Sequence, residues 1–450
     1  VAQTYSNING LFKVRYGRWI EPLPDEHTLA DFGDFIPAES RPGSGYAFPV
    51  LTAIEHGQTA DNTNNAFTLN PAVDSNVKQA QLDGSTILLQ SVVSYDTIYK
   101  SLNGSGQGNQ GGAFKTALDQ AVQAMLMGAG LYRELALAYG PGSGATLLSN
   151  IGVINSNVSA TNVSVNTTIS LTQASWIPGL WILAQNMLID IYNSAGTTLQ
   201  SNGIKIVGRP DPAKAQLTII AQSPQNTTGP TFSPVAGNVI VPYGWFGKSC
   251  VGLEGIYNNS GLLFGIDASQ VAPWRANVFS AGFAALTRAK VMSFAAIVSI
   301  NGAKNGGRLF VSAPTFAALA EEFNSVMTPS QSGISAVSTY DGNNNKRDKE
   351  IGSSSLAYVT AAGVIEVVVY QYAKQGQALF IANDNFRRVG STDLTMRPIG
   401  GGAEAFFTHL TTQSGAQMKI FSNQAPVFEI PYRNFLVNNI VNTGYDVPPV

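Results

Sequence analysis

From Phe114 to Tyr139 the apolar residues Phe114, Leu118, Val122, Met125, Ala129, Tyr132, Ala136 and Tyr139 recur at steps of three and four, with no proline between them. That spacing predicts one helix of about 27 residues, roughly 40 Å long at ~1.5 Å per residue. Gly140, Pro141 and Gly142 end it, the glycines by accepting a left-handed cap and the proline by withholding a backbone donor. A small compact domain has no room for such a rod, so the chain is expected to use it as a spine.

Composition narrows what surrounds the spine. Charged residues are 12% of the 450, against about a quarter in ordinary soluble domains, while hydrophobic content is 44% and glycine fills 45 positions. Gly, Ser, Thr, Asn and Gln stand where charge is usually found. Charge-rich disorder, a coiled coil and a basic nucleic-acid binder are excluded, and a net charge of −2 does not steer the whole chain toward phosphate or an anionic membrane. Cys250 is the sole cysteine, so neither an internal disulfide nor a cysteine-based zinc site can form; beside Val251 and Leu253 it is expected to be a small buried residue. The opening VAQTYSNING lacks the charged-then-apolar layout of a secretory signal. The most apolar stretch, Trp176 to Tyr192, is broken by Gln185, Asn186 and Asp190 before it reaches the ~18 residues of a spanning helix. A soluble protein made in a cytoplasm is expected, with about two to four domains at this length.

The rest of the chain is organised around the spine in sequence order. Residues 1–36 read as an extended arm: apolar and basic residues interleave in LFKVRYGRWI, then Pro22, Pro24 and Pro37 break any regular element. Residues 37–99 read as a long two-stranded excursion, AFPVLTAI out, the polar tip GQTADNTNN, then AFTLNPAV and STILLQSVVSY back. The Gly-rich break NGSGQGNQGG and the long helix fill 100–149. Residues 150–245 hold short β runs (VSVNTTISL, MLIDIY, IKIVG, QLTIIA, NVIVPY) between Asn, Ser and Gly turns, which predicts a small β-rich insertion. In 246–300, NVFSAGFAALTRAKVMSFAAIVSI predicts a second helix. In 301–390, RLFVS and PTFAALAEEFNSVM predict strand then helix, and GVIEVVVYQY, the turn AKQGQ and ALFIAND predict a β-hairpin. Residues 391–450 are again extended.

Sites for chemistry are few. Gly106, Gly108 and Gly111 satisfy G-x-G-x-x-G, yet a dinucleotide site next requires a strand ending in Asp or Glu about 20 residues on, and the long helix occupies that space; the reading is a hinge. Gly247, Lys248 and Ser249 resemble the end of a P-loop, but its first glycine position is Pro242. No serine lies in a G-x-S-x-G elbow, and His27, His56 and His409 have no second ligand at metal spacing. The acidic run around His27 (Glu21, Asp25, Glu26, Asp31, Asp34) and the mixed-sign KRDKE at 346–350 are expected to be solvated or contacting faces. No catalytic residue, metal or cofactor is expected.

The order of these segments, with GLLFGIDASQVAPWRANV, FRRVGSTDLTMRP, FSNQAPVFEIPYRNFLVNNIV and ASWIPGLW, resembles the major capsid protein of tailed bacteriophages, whose fold is the Hong Kong type. The resemblance implies an α+β fold with an N-arm (1–36), an E-loop (37–99), a spine helix and peripheral domain (100–149), an inserted β-rich domain (150–245), a connection and helix (246–300), an axial domain (301–390) and peripheral return strands (391–450). It implies a structural protein, not an enzyme, found in the virion and made in a bacterial cytoplasm. Its main partner is itself, as pentamers and hexamers in an icosahedral shell around double-stranded DNA. Weak contacts to DNA on the inner face, and scaffold, portal and decoration proteins, complete the implied partners; no membrane is among them. On this reading the intersubunit anchors are Phe12, Lys13, Arg15, Tyr16, Arg18 and Trp19 in the arm, Tyr46, Phe48 and Phe67 in the E-loop, and Arg387, Arg388 and Arg397 near the return strands. Some members form a Lys–Asn crosslink between subunits, for which Lys78 is the only lysine of the E-loop. The alternative reading is a secreted β-rich carbohydrate-binding or carbohydrate-active protein, prompted by the Gly, Asn and Thr content and sequons such as Asn157-Val158-Ser159.

Overall fold

The computed structural model describes residues 28–37, 46–62, 67–82, 84–94, 112–158, 161–162, 166–208, 210–220, 231–232, 234–326, 356–395, 408–409 and 415–442. The chain divides into two compact units. One holds Ile87–Tyr132 and Leu394–Ser422, the other Thr28–Thr86, Arg133–Asp393 and Asn423–Val450.

The expected long helix is present as Gly112–Tyr139. In the first unit Met125 and Ala129, one turn apart, pack with Met418 and Ile420 of the strand Gly415–Phe428 and with Leu89 and Leu394, a helix-on-strand core built from i, i+4 and i, i+2 spacings. Thr408–His409 pairs antiparallel with that strand through Gln417 and Ala416.

The second unit contains two six-stranded sheets. The first is mixed, in the order Asn277–Ala284, Phe435–Ile440, Ala378–Ala382, Gly307–Val311, Gly363–Val369, Leu356–Thr360. Ala378–Ala382 is buried at every position, as a strand covered on both faces must be. Beneath it Val291, Ala295 and Val298 of the helix Arg288–Ile300 join Leu309, Val311, Ile365, Phe380 and Phe435 in one cluster. Thr287 caps that helix by accepting from the Lys290 amide at 3.4 Å.

Two expectations are corrected in this sheet. The segment NVFSAGFA is a strand, parallel to Phe435–Ile440, and the helix begins only after the Thr287 cap. Alternating burial across Asn277–Ser280 gives the period of two that its small residues obscure, and Gly282 and Phe283 at positive φ bend its end. The strands Gly363–Val369 and Ala378–Ala382 do not form a hairpin, because Gly307–Val311 lies between them, parallel to one and antiparallel to the other.

The second sheet is antiparallel throughout, in the order Gly152–Val153, Val239–Pro242, Leu188–Tyr192, Leu199–Ile206, Gln216–Ile220, Thr167–Ser170. Gln216–Ile220 alternates partly exposed and buried residues, with Leu217 and Ile219 inward. The short helix Pro178–Ile182 buries Leu180 and Trp181, and Trp176 packs on Trp181 with ring centroids 6.0 Å apart. The segment that follows Thr167–Ser170 is fastened by backbone bonds to the one between Gly363–Val369 and Ala378–Ala382: Gly179 donates to Gln371, Gln375 to Trp176 and Gly376 to Ala174.

Gly306 sits at φ +72°, and a Cβ there would be driven into the Val364 carbonyl oxygen, whereas Gly282 at the same φ has nothing within 4 Å. Gly282→Ala is expected to cost about 1 kcal/mol, the left-handed penalty alone. Gly306→Ala is expected to cost about 3 kcal/mol or more. Urea unfolding midpoints of the two variants provide the comparison.

Candidate functional site

Tyr46–Ala53 pairs antiparallel with Asn76–Leu82, from Tyr46 opposite Leu82 to Ala53 opposite Asn76, as a sheet of only two strands. The returning strand is NVKQAQL; AFTLNPAV, expected to form it, has no regular structure over its described residues 67–73. The connection is held locally: His56 donates its amide to Val73 at 3.3 Å, Asn70 donates its amide to the Thr59 hydroxyl at 2.8 Å and its side-chain amide to Gln58 at 3.0 Å.

Only the root of this hairpin is packed. Ala80 and Leu82 are buried, Phe48 lies 6.0 Å from the Trp274 ring and 5.5 Å from Tyr46, and Gln81 donates its amide to the Phe264 carbonyl at 2.9 Å. Trp274 is fixed in turn by donating to the Leu263 carbonyl at 3.0 Å. Beyond the root, Leu51, Ile54, Val73 and Val77 are exposed, with Phe67 at 53% and Leu69 at 73%. A two-stranded ribbon is marginal by itself, and contiguous exposed apolar side chains of this kind mark a surface that another molecule covers.

A cavity of about 750 Å³ opens beside the root, lined by Tyr46, Leu82, Ser85, Lys248, Cys250 and Leu263 among others. It brings no acid–base pair or metal cluster together, and among the described residues no three His, Cys, Asp or Glu side chains converge. Cys250 is buried, and burial pushes its thiol above the usual range, so it is a poor nucleophile. Gly247–Ser249, the P-loop remnant, lies in a turn with Gly247 at φ +70°. Among the described residues no helix is long and apolar enough to cross a membrane.

The nominated contact residues separate into three groups. Tyr46 and Phe48 are half-buried in the root and Phe67 is exposed beyond it. Lys78 is exposed on the outer strand; the nearby Asp267 carboxyl is held below the usual range mainly by Ser269, with Lys78 adding to the effect. Arg387 is partly exposed and reaches Asp34 and, at 3.3 Å, Glu429. Arg388 is a correction: its guanidinium is buried within its own chain, donating to the Gly33 carbonyl at 2.8 Å, Asp393 at 2.8 Å and Gln424 at 2.9 Å, with Phe35 stacked at 5.6 Å. It braces the parallel pairing of Asp34–Pro37 with Arg387–Gly390 and has no surface left to offer. Phe12, Lys13, Arg15, Tyr16, Arg18, Trp19 and Arg397 lie outside the described residues, as do His27, the Gly106–Gly111 motif and KRDKE.

Sequence reasoning missed a buried polar centre at the end of the long helix. Glu134 accepts from the Ala30 amide at 3.0 Å, the Leu29 amide at 3.3 Å and the Tyr370 hydroxyl at 3.0 Å, so it caps the short helix Thr28–Phe32 from outside. Five residues on, Tyr139 donates to the Tyr372 carbonyl at 2.8 Å and accepts from the Lys374 amide at 3.1 Å. Lys374 Nζ lies 2.7 Å from both oxygens of Glu254. The available signal was Glu134 at the head of the uncharged run LALAY and Glu254 as the only charge in VGLEGIY. Lys374, read as part of a turn, gives none.

No protein-family profile and no curated protein matches this sequence. Among solved structures, the capsid asymmetric unit of cyanophage A-1(L) aligns over 97% of this chain and 99% of its own, with a TM-score of 0.57 at 10% identity. The capsid of a native GTA particle aligns over 98% and 100%, with a TM-score of 0.48 at 8% identity. A structure from Mycobacterium phage Adephagia aligns over 100% of both chains, with a TM-score of 0.43 at 9% identity. The cyanophage match establishes the expected α+β capsid fold.

Burial pushes the Glu134 carboxyl above the usual range, against the pull of the Ala30 amide, the Tyr370 hydroxyl, Arg133 and the Leu29 amide. Between the ordinary carboxylate range and that raised value the folded chain holds a proton that the unfolded chain releases, so stability falls as pH rises through the window. Glu134→Gln is expected to flatten this part of the profile, measured as urea midpoints from about pH 4 to about pH 8.

Proposed function

We propose that this chain is the shell subunit of a tailed-phage head, assembling without catalysis into a closed icosahedral container for double-stranded DNA. The observation that carries the reading is the hairpin Tyr46–Leu82, which projects apolar side chains that its own fold leaves in water. Covering them on a neighbour contributes about 1 kcal/mol or more for each large side chain. In a symmetric shell each subunit both offers and receives such a contact, and heterologous contacts between identical chains close when the rotation allows. The capsid fold supports the same reading.

On this proposal the hairpin is the E-loop, the long helix the spine, the mixed sheet the axial domain around capsomer axes and the antiparallel sheet an insertion. Of residues 1–36, expected as an extended arm, Thr28–Phe32 is a helix with Leu29 and Ala30 buried and Asp34–Pro37 is a strand paired within the chain; the arm of this proposal is the part before them, with Phe12, Tyr16 and Trp19 as its apolar anchors and Lys13, Arg15 and Arg18 as its cations. Arg387 and Arg397 are further contacts between subunits on this proposal. Pentamers and hexamers of this chain form the shell, with scaffold, portal and decoration proteins as further partners, in a virion built in a bacterial cytoplasm.

Size-exclusion chromatography and electron microscopy of the full chain are expected to show capsomer rings or closed particles, and particles from infected cells to hold nuclease-protected DNA. Phe67→Asp with Leu69→Asp is expected to leave a subunit of unchanged circular dichroism and to abolish closed particles; deleting residues 1–20 is expected to do the same. A wild-type chain that stays monomeric at high concentration, or variants that assemble as the wild type does, would overturn the proposal.

A further inference from the structure

A lysine amine, an asparagine carboxamide and a glutamate meet inside the second unit. Lys374 Nζ lies 3.5 Å from Asn150 Oδ1 and 2.7 Å from each Glu254 oxygen, with the Lys374 and Glu254 side chains 3% and 6% exposed. The Tyr139 ring covers Nζ at 4.8 Å, and Gln377 donates to Glu254 at 2.8 Å, fixing the carboxylate. We propose that Lys374 and Asn150 become joined, within one chain, by an autocatalytic isopeptide bond, with Glu254 carrying the protons.

Three features favour this over a static ion pair. A lysine in a turn between strands is ordinarily solvated, and a buried ion pair is often no more stabilising than apolar residues of the same volume, so stability alone is a weak reason for the arrangement. The amine donates to the carboxamide oxygen at 3.5 Å, which holds it beside the carbon it would attack. Burial lowers the affinity of the amine for its proton, Glu254 opposing, and a neutral amine is the form that attacks.

The reaction balances without a co-reactant. The Lys374 ammonium passes one proton to the Glu254 carboxylate, and the neutral Nζ attacks Asn150 Cγ, forming the C–N bond. Glu254 then protonates Nδ2 and takes the second proton from Nζ as the Cγ–Nδ2 bond breaks. Ammonia leaves and removes the proton remaining on Glu254 as ammonium. Asn150 is only partly buried, which gives the leaving group a way out. The product would fasten the residue just ahead of the edge strand Gly152–Val153 to the turn between Gly363–Val369 and Ala378–Ala382, closing a covalent loop between positions 224 apart.

Intact-mass spectrometry of the purified full chain tests this. The expected wild-type mass is lower than the sequence mass by one ammonia, and a tryptic digest is expected to yield a branched peptide joining the Asn150 and Lys374 fragments, with no cleavage after Lys374. Asn150→Ala, Lys374→Arg and Glu254→Gln are each expected to restore the full mass. A wild-type chain of unaltered mass that releases an ordinary Lys374 peptide would overturn the proposal, whether or not the variants fold. So would an ammonia loss that maps to a cyclised asparagine, for example at Asn301-Gly302 or Asn305-Gly306. Branched peptide from Glu254→Gln at the wild-type yield would remove Glu254 from the reaction.

Discussion

The end of the long helix is the constraint on which the second unit depends. One turn and a half of it carries Glu134 and Tyr139, and these two side chains gather Leu29, Ala30, Tyr370, Tyr372 and the Lys374 amide. Each bond lies where water does not compete, so an unmade partner would cost about 1–3 kcal/mol and the set behaves as a unit. From it the short helix Thr28–Phe32 takes its cap, and the segment 370–377 takes the path that lets Gln375 and Gly376 bond to the segment that follows Thr167–Ser170.

The sparse charge acquires a physical meaning in this light. Arg133, Glu134, Asp190, Glu254, Lys374 and Arg388 are all buried, each in contact with specific partners: Asp190 accepts from the Gly203 and Gly244 amides, and Arg133 and Arg388 share Asp393. A chain with charge at 12% has placed a noticeable part of it inside. Its surface relies on Asn, Ser, Thr and Gly, and at the hairpin it is openly apolar. A free monomer with that surface would be prone to associate. Ordered self-association is the use that the proposed shell role makes of it.

What the sequence revealed depended on how local the governing interaction was. The long helix was readable because its period repeats over seven turns and its stop signals are adjacent residues. The strands MLIDIY, QLTIIA and NVIVPY were readable for the same reason. The strand Asn277–Ala284 was not, since Ser280, Ala281 and Gly282 blur its alternation and the following helix lends it an apparent continuity. The misjudged hairpin after Gly363 has another cause: strands close in sequence commonly pair, but here residues 370–377 separate them and the distant segment Gly307–Val311 lies between them. Arg388 looked like a surface cation because nothing in FRRVG announces that Gly33, Asp393 and Gln424 will surround it.

The sequence by itself determined the spine, the β-rich character of residues 150–245, the burial of Cys250 and the absence of a recognisable catalytic motif, all of which follow from period, composition or a single residue's chemistry. Tertiary structure alone decided which strands are neighbours, that the hairpin's return strand is Asn76–Leu82, and that Glu134, Glu254, Lys374 and Asn150 converge. The physical reason is range. Propensity and periodicity act over a few residues, whereas strand order and buried polar partners are set by contacts between positions separated by a hundred or more, and no local pattern records those.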